Sequence, residues 1–197
     1  MSEAALKAGR GVSAEPPLQS QTQIAHPLDE FYARAHQPMP ALEFIHAEEV
    51  PVPYKQLLVH ENDMTSTLEH FHEGRVHLRV LSRQQSEDAY SREVVLEMEG
   101  TNAPVEFGAI KIYPGTFPAR AREQIIEAHW PLGRILREFK LSYVSRPKAF
   151  LRVASDRLIS GALQLNGTHR LYGRCNRLSD PQGNPLADIV EILPPIK

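Results

Sequence analysis

The chain runs to 197 residues with 42% hydrophobic and 23% charged side chains, the composition of an ordinary globular domain and not of a disordered or collagenous chain. A formal net charge of -2 excludes an overall positive field that would condense onto nucleic acid or anionic membranes, so an anionic ligand has to be held by a few local Arg or Lys side chains. Cys175 is the single cysteine, which excludes an internal disulfide and a multi-cysteine zinc site. With no apolar run near ~20 residues and no signal core, the sequence reads as cytoplasmic, without membrane insertion.

Residues 1–26 mix Ser, Gln, Ala, Gly and the Pro16-Pro17 pair and are expected to form a flexible N-terminal extension, because they offer little apolar surface to offset the entropy of ordering. Residues 27–197 are expected to make one domain. Leu28 to His36 is predicted to be a short helix, after which Pro38, Pro40, Pro51 and Pro53 break the chain into extended or turn segments. Further on, Ser66 and Glu69 stand at capping-box spacing, and Met64, Leu68 and Phe71 share one helical face; a short helix closing at Gly74 is predicted.

From Val76 the period changes to two, with Val76, Leu78 and Val80 on one side, which predicts a strand. Ser91 to Met98 and Val105 to Tyr113 read the same way, and the turn residues 99–104 join them as an antiparallel hairpin. Pro118 to His129 and the segment opening at Pro131 are predicted helices. Leu141 to Val153 is predicted to be a long strand and Ser155 to Leu165 helix-like. Strands at Arg170 to Leu178 and Ala187 to Leu193 close the chain around the turn Asp180 to Asn184. Runs of strands with grouped helices argue for an α+β domain with a largely antiparallel sheet of about six strands and helices on one face.

His60, His70, His72 and His77 form the densest histidine region. Their spacing puts His70 and His72 on different faces of a helix with no HExxH motif, so no metal site is assigned and they read as surface and hydrogen-bonded histidines. Cys175 lies mid-strand without a helix N-terminus or elbow to lower its pKa and reads as a structural thiol. The cluster Arg134, Arg137 and Lys140 lacks interleaved aromatics and reads as a solvated helix face, so no nucleic-acid partner is expected. Two residues stand out: Arg92 opens an otherwise apolar strand, and Glu191 interrupts the apolar run Ile189-Val190-Glu191-Ile192-Leu193.

The segment Tyr172-Gly173-Arg174-Cys175-Asn176-Arg177-Leu178, the turn Gly183-Asn184-Pro185-Leu186 and Val190-Glu191-Ile192-Leu193-Pro194 together resemble the C-terminal hairpin of bacterial chorismate lyases. Three further blocks agree in order: Asp63-Met64-Thr65 with Leu68-Glu69, Arg92-Glu93-Val94-Val95-Leu96, and Pro131-Leu132-Gly133-Arg134-Ile135-Leu136. The resemblance covers roughly Leu57 to Pro194. It implies a curved sheet enclosing a product-binding cavity, and conversion of chorismate to 4-hydroxybenzoate and pyruvate with no metal or organic cofactor. Carried over by motif, Arg92 would pair with the ring carboxylate, the backbone N–H groups of Met64 and Leu132 would complete that anion site, and Glu191 would meet the ring hydroxyl. Arg92 and Glu191 are thus the expected catalytic pair. Arg92, Met64, Leu132 and Glu191 are the expected binding set for a small aromatic or cyclohexadienyl carboxylate.

Two departures accompany the resemblance. The family's third strand carries an arginine after its glycine, whereas Gly108 is followed here by Ala109, with Lys111 two residues on. The stretch from Val153 to His169 is also longer and is expected to reshape the pocket lid. The alternative reading is a non-catalytic binding or regulatory domain for a small aromatic or anionic ligand, since the same architecture recurs in regulator effector domains. No helix-turn-helix precedes the predicted domain.

Overall fold

The computed structural model describes residues 25–196. The expected extension therefore lies, up to residue 24, outside the described residues. Among the described residues the chain forms six α-helices and seven strands. The helices are α1 (Leu28–Arg34), α2 (Tyr54–Leu58), α3 (Met64–Phe71), α4 (Ala119–Glu127), α5 (Leu132–Glu138) and α6 (Arg157–Ala162). The strands are β1 (Leu42–Ile45), β2 (Val76–Gln85), β3 (Tyr90–Met98), β4 (Pro104–Ile112), β5 (Val144–Ala154), β6 (Arg170–Ser179) and β7 (Pro185–Leu193). They build one open, wholly antiparallel sheet in the order β1-β5-β6-β7-β4-β3-β2. This is the α+β, chorismate lyase-like architecture, with one strand more than expected. The extra strand is β1, four residues among prolines whose burial pattern carries no clean alternation; only its pairing with β5 makes it a strand.

Alternation divides the sheet into two buried faces. On one, Val95, Phe107, Ala109, Cys175, Val190 and Ile192 pack against Leu28, Phe31 and Tyr32 of α1 and Ile159 of α6. On the other, Ile110, Ile112, Leu178 and Ile189 meet Ala121 and Ile125 of α4 and Ile135 and Leu136 of α5. Beside them Val76, Leu96 and Leu193 meet Leu57, Leu58, Met64 and Leu68 of α2 and α3. Helices thus cover both faces: four on the second and two short ones on the first. Each fully buried Leu, Ile or Val contributes on the order of 1.5–3 kcal/mol, and burial on both sides accounts for apolar residues on both faces of β3, β4 and β7.

Three local expectations are corrected. The N-cap of α3 is Asp63, not Ser66: its Oδ1 accepts from the Ser66 backbone N–H at 2.9 Å, and Ser66 is already inside the helix. The residue that takes the left-handed conformation after α3 is Glu73 (φ 52), with the Gly74 N–H donating to the Glu69 carbonyl at 3.1 Å. The long strand predicted from Leu141 begins at Val144, after the left-handed Lys140 ends α5.

The first face also carries a charge cluster at the β5–β6–β7 side. Asp188 accepts from Arg177 Nε and Nη2, both at 2.9 Å, from Lys148 Nζ at 2.6 Å and from the Tyr113 hydroxyl at 3.0 Å. Burial by itself raises the Asp188 pKa, but the Arg177 and Lys148 hydrogen bonds and charges outweigh it and hold the carboxyl at about 2. The unfolded value is ~3.9, so the stabilisation is complete above about pH 4 and is lost as pH falls towards about 2. Urea midpoints of Asp188→Asn and of the parent chain are therefore expected to differ most near neutral pH and to converge on acidification. Parallel acid limbs would contradict this account.

Candidate functional site

The two halves of the sheet's second face diverge around a cavity between β3, β4, β6 and β7 below and the N-termini of α3 and α5 above. Its floor is Arg92, Val94 and Leu96 of β3, Glu106, Gly108 and Ile110 of β4, Asn176 and Leu178 of β6, and Ile189 and Glu191 of β7, every second residue of each strand. Its roof is Asp63, Met64 and Thr65 from α3 and Pro131, Leu132 and Gly133 from α5. The four expected site residues, Arg92, Glu191, Met64 and Leu132, line this one space.

The cavity has a volume of ≈ 50 Å³. Two glycines keep the space open. A Cβ at Gly108 would stand 3.1 Å from Val94 Cγ2 and 3.0 Å from Glu106 Oε1, and one at Gly133 would stand 2.8 Å from Thr65 Oγ1.

Arg92 is 1% exposed. Its Nη2 donates to the Trp130 carbonyl at 3.2 Å, and among the described residues its Nε and Nη1 have no hydrogen-bond partner. Burial pushes its pKa down to about 10, with the neighbouring Tyr90 phenol acting in the opposite sense, so the guanidinium stays charged at neutral pH. Unpaired donors on a buried cation are costly, and because Nε and Nη1 lie on different edges of the guanidinium, a planar anion can fork onto one edge only, sharing the second Nη2 hydrogen. Met64 and Leu132 are the first helical residues of α3 and α5, where backbone N–H groups have no intrahelical acceptor and the helix dipole is positive.

The opposite end of the cavity holds the acids. Glu191 is 3% exposed, and its Oε2 accepts from Arg174 Nε in a buried ion pair. Arg174 is fully buried and spends its remaining donors on the α2–α3 connection: Nη1 on the Leu58 and His60 carbonyls at 3.2 and 3.1 Å, Nη2 on the Asn62 carbonyl at 3.2 Å. Glu106 lies on β4 two residues from Gly108, the register partner of Glu191. Burial, followed by the nearby Glu191 charge, raises its pKa well above the usual carboxylate range. Register puts Glu191 two strands across and two residues along from Arg92, with their Cα atoms roughly 12 Å apart.

The Ala109 departure takes a different meaning in three dimensions. Ala109 faces the first core beside Phe107 and Val190, and Lys111, on the same side, donates to Glu30 of α1 at 2.8 Å. Neither side chain reaches the cavity, so the substitution removes no cation from it. The extra stretch after Val153 is not a lid either: Ile159, Ala162 and Leu163 pack into the same first core. Cys175 also belongs there, with its thiol pushed up to about 12 by burial. His60 sits beside Arg174, His77 Nε2 lies 3.2 Å from Glu97, and among the described residues no three His, Cys, Asp or Glu side chains gather around a point suited to a metal ion.

Sequence reasoning did not pick out Glu106, Arg174, Asp63 or Asn176 as lining or supporting the site. Arg174 and Asp63 lay inside motifs that were noticed, without a role of their own. Glu106 carried one usable signal, its even spacing from Gly108 on a strand. Because β4 is apolar on both faces, that spacing did not say which face was the cavity.

No protein-family model matches the sequence, and no curated protein matches it significantly. Among solved structures, the chain is similar to a gene product of Staphylococcus aureus (TM-score 0.51, 11% identity, 70% of this chain and 90% of that one). It is also similar to the effector domain of PhnF from Mycobacterium smegmatis (TM-score 0.51, 11% identity, 67% and 88%). A further similarity, at TM-score 0.47 and 15% identity over 60% of this chain and 85% of the other, is to the ligand-binding domain of a GntR-family transcriptional regulator from Bordetella bronchiseptica. At these identities the likeness is one of fold.

Proposed function

We propose that the cavity binds a small single-ring carboxylate, with its carboxylate on Arg92 and the Met64 and Leu132 N–H groups and its far end towards Glu191. The observation that carries this reading is the buried Arg92 guanidinium, whose Nε and Nη1 lack partners among the described residues and which lines the cavity. A carboxylate forked onto one edge of the guanidinium, using the second Nη2 hydrogen with either Nε or Nη1, supplies an acceptor for one of the two unpaired donors, and two helix N-termini add partial positive charge around the same anion.

The finer reading is chorismate pyruvate-lyase chemistry, in keeping with the resemblance to that family. In that reaction the ring–ether bond to the enolpyruvyl group breaks, the ring loses one proton and becomes aromatic, and the side chain leaves as pyruvate. Aromatisation supplies the driving force, so the protein's part is orientation and electrostatic stabilisation. Glu191 would accept the ring hydroxyl's hydrogen bond as charge shifts. The second reading, a binding or regulatory domain without turnover, is favoured by the Arg174 ion pair, which already engages Glu191, and accords with the name effector domain carried by the similar PhnF structure.

One pair of measurements separates the readings. Titration calorimetry with 4-hydroxybenzoate is expected to show one site per chain; no heat at millimolar ligand would reject the carboxylate site. Incubation with chorismate, followed for equimolar 4-hydroxybenzoate and pyruvate, is expected to show turnover if the lyase reading holds. Binding without product would leave the non-catalytic domain.

A further inference from the structure

Glu106 is 4% exposed, lines the cavity, and among the described residues has no hydrogen-bond partner for its Oε2. A carboxyl group is a poor choice for the floor of an apolar pocket unless something polar meets it there. Its surroundings decide its state. Two carboxyl groups, Glu106 and Glu191, stand diagonally across adjacent strands, within reach for long side chains. A single guanidinium, Arg174, serves that end and is bound to Glu191. One cation balances one carboxylate, and the Asp63 carboxylate of the roof adds further negative charge, so in so buried a site Glu106 keeps its proton and becomes a donor as well as an acceptor. The direction of the Glu106 pKa, raised chiefly by burial and then by Glu191, agrees with this count.

We infer that Glu106 is a specificity-determining residue, which donates a hydrogen bond to a ring hydroxyl that in turn donates to Glu191, so that the pair selects a hydroxylated ring over an unsubstituted one. This rests on the reading above, in which Arg92 holds the ring's carboxylate at the other end. A hydroxyl both donates and accepts, and the two acids in their two protonation states are its complement. A bare ring edge leaves both acids without partners in the complex, which is the more costly mismatch.

Calorimetry with benzoate and 4-hydroxybenzoate on the full chain and on Glu106→Gln and Glu106→Leu tests this. The parent chain is expected to prefer 4-hydroxybenzoate by about tenfold or more, the size of effect one or two buried hydrogen bonds give. Glu106→Gln, which keeps a neutral donor of the same shape, is expected to hold that preference to within about threefold. Glu106→Leu is expected to lose about tenfold for 4-hydroxybenzoate, to bind benzoate as well as before or better, and to melt at a higher temperature without ligand, since a buried unpaired carboxyl has gone. If Glu106→Leu keeps the parent's preference while both compounds still bind, the inference is overturned and the carboxylate site stands. If benzoate and 4-hydroxybenzoate both fail to bind the parent chain, the Arg92 reading falls and takes this one with it.

Discussion

Replacing Arg92 by methionine is expected to lower the affinity for 4-hydroxybenzoate by at least ~100-fold while making the unliganded protein more stable. The two effects have one cause. Two charge-assisted hydrogen bonds at ~1.5–3 kcal/mol each amount to about 3–6 kcal/mol of ligand binding. Without ligand, the same guanidinium is a buried cation whose one protein hydrogen bond goes to the Trp130 carbonyl among the described residues. Arg92→Met removes the desolvation cost of a buried ion, which amounts to several kcal/mol. Calorimetry reads the first effect and urea denaturation the second. Arg92→Lys is expected to recover little binding, because an ammonium cannot present the planar fork. Unchanged affinity in Arg92→Met would remove Arg92 from the site. A loss of stability in the unliganded protein would mean that its native contacts outweigh its burial.

The second large effect is expected at Arg174. Arg174→Met leaves Glu191 as an uncompensated buried carboxylate and deprives the carbonyls of Leu58, His60 and Asn62 of their donor, at a cost of ~3–5 kcal/mol. The damage is not confined to one strand. Those three carbonyls belong to the connection that delivers Asp63 and Met64 to the roof of the cavity, so losing the guanidinium loosens the anion site as well. The double variant Arg174→Met with Glu191→Leu is expected to regain the part of the loss due to the unpaired charge, and a double-mutant cycle from urea midpoints measures that coupling. Additive single effects would show that the buried pair contributes no coupling. Full recovery in the double variant would show that the three carbonyl contacts contribute nothing.

The candidate site was legible in the sequence to the extent that its members broke a pattern. Arg92 and Glu191 interrupt apolar strands, and a charge inside such a run draws notice without any coordinates. Met64 and Leu132 came only from the resemblance of Asp63-Met64-Thr65 and Pro131-Leu132-Gly133 to the family's motifs. The misreadings share one source. Ser66 looked like a cap because Ser-x-x-Glu spacing is a one-dimensional rule, whereas the cap is whichever side chain sits just outside the first turn, here Asp63. Ala109 looked like a lost cation because its neighbour Gly108 lines the cavity. In a strand the next residue points the other way, and only the register of β4 with β3 and β7 says which way that is.

By itself the sequence determined the order and type of nearly every element, the antiparallel α+β class, and the two charges, Arg92 and Glu191, that interrupt apolar strands, whose roles only the family resemblance implied. These follow from periodicities of two and 3.6, from turn residues, and from charges placed where apolar side chains are expected. Tertiary structure alone decided that β1 is a strand, that two helices cover the first face, that Arg174 neutralises Glu191, and that Glu106 shares its cavity. The physical reason is that strands buried on both faces are apolar on both faces, so alternation no longer marks inside from outside. Which side a residue faces, and which charge it meets there, is then set by register with neighbouring strands far away in the chain.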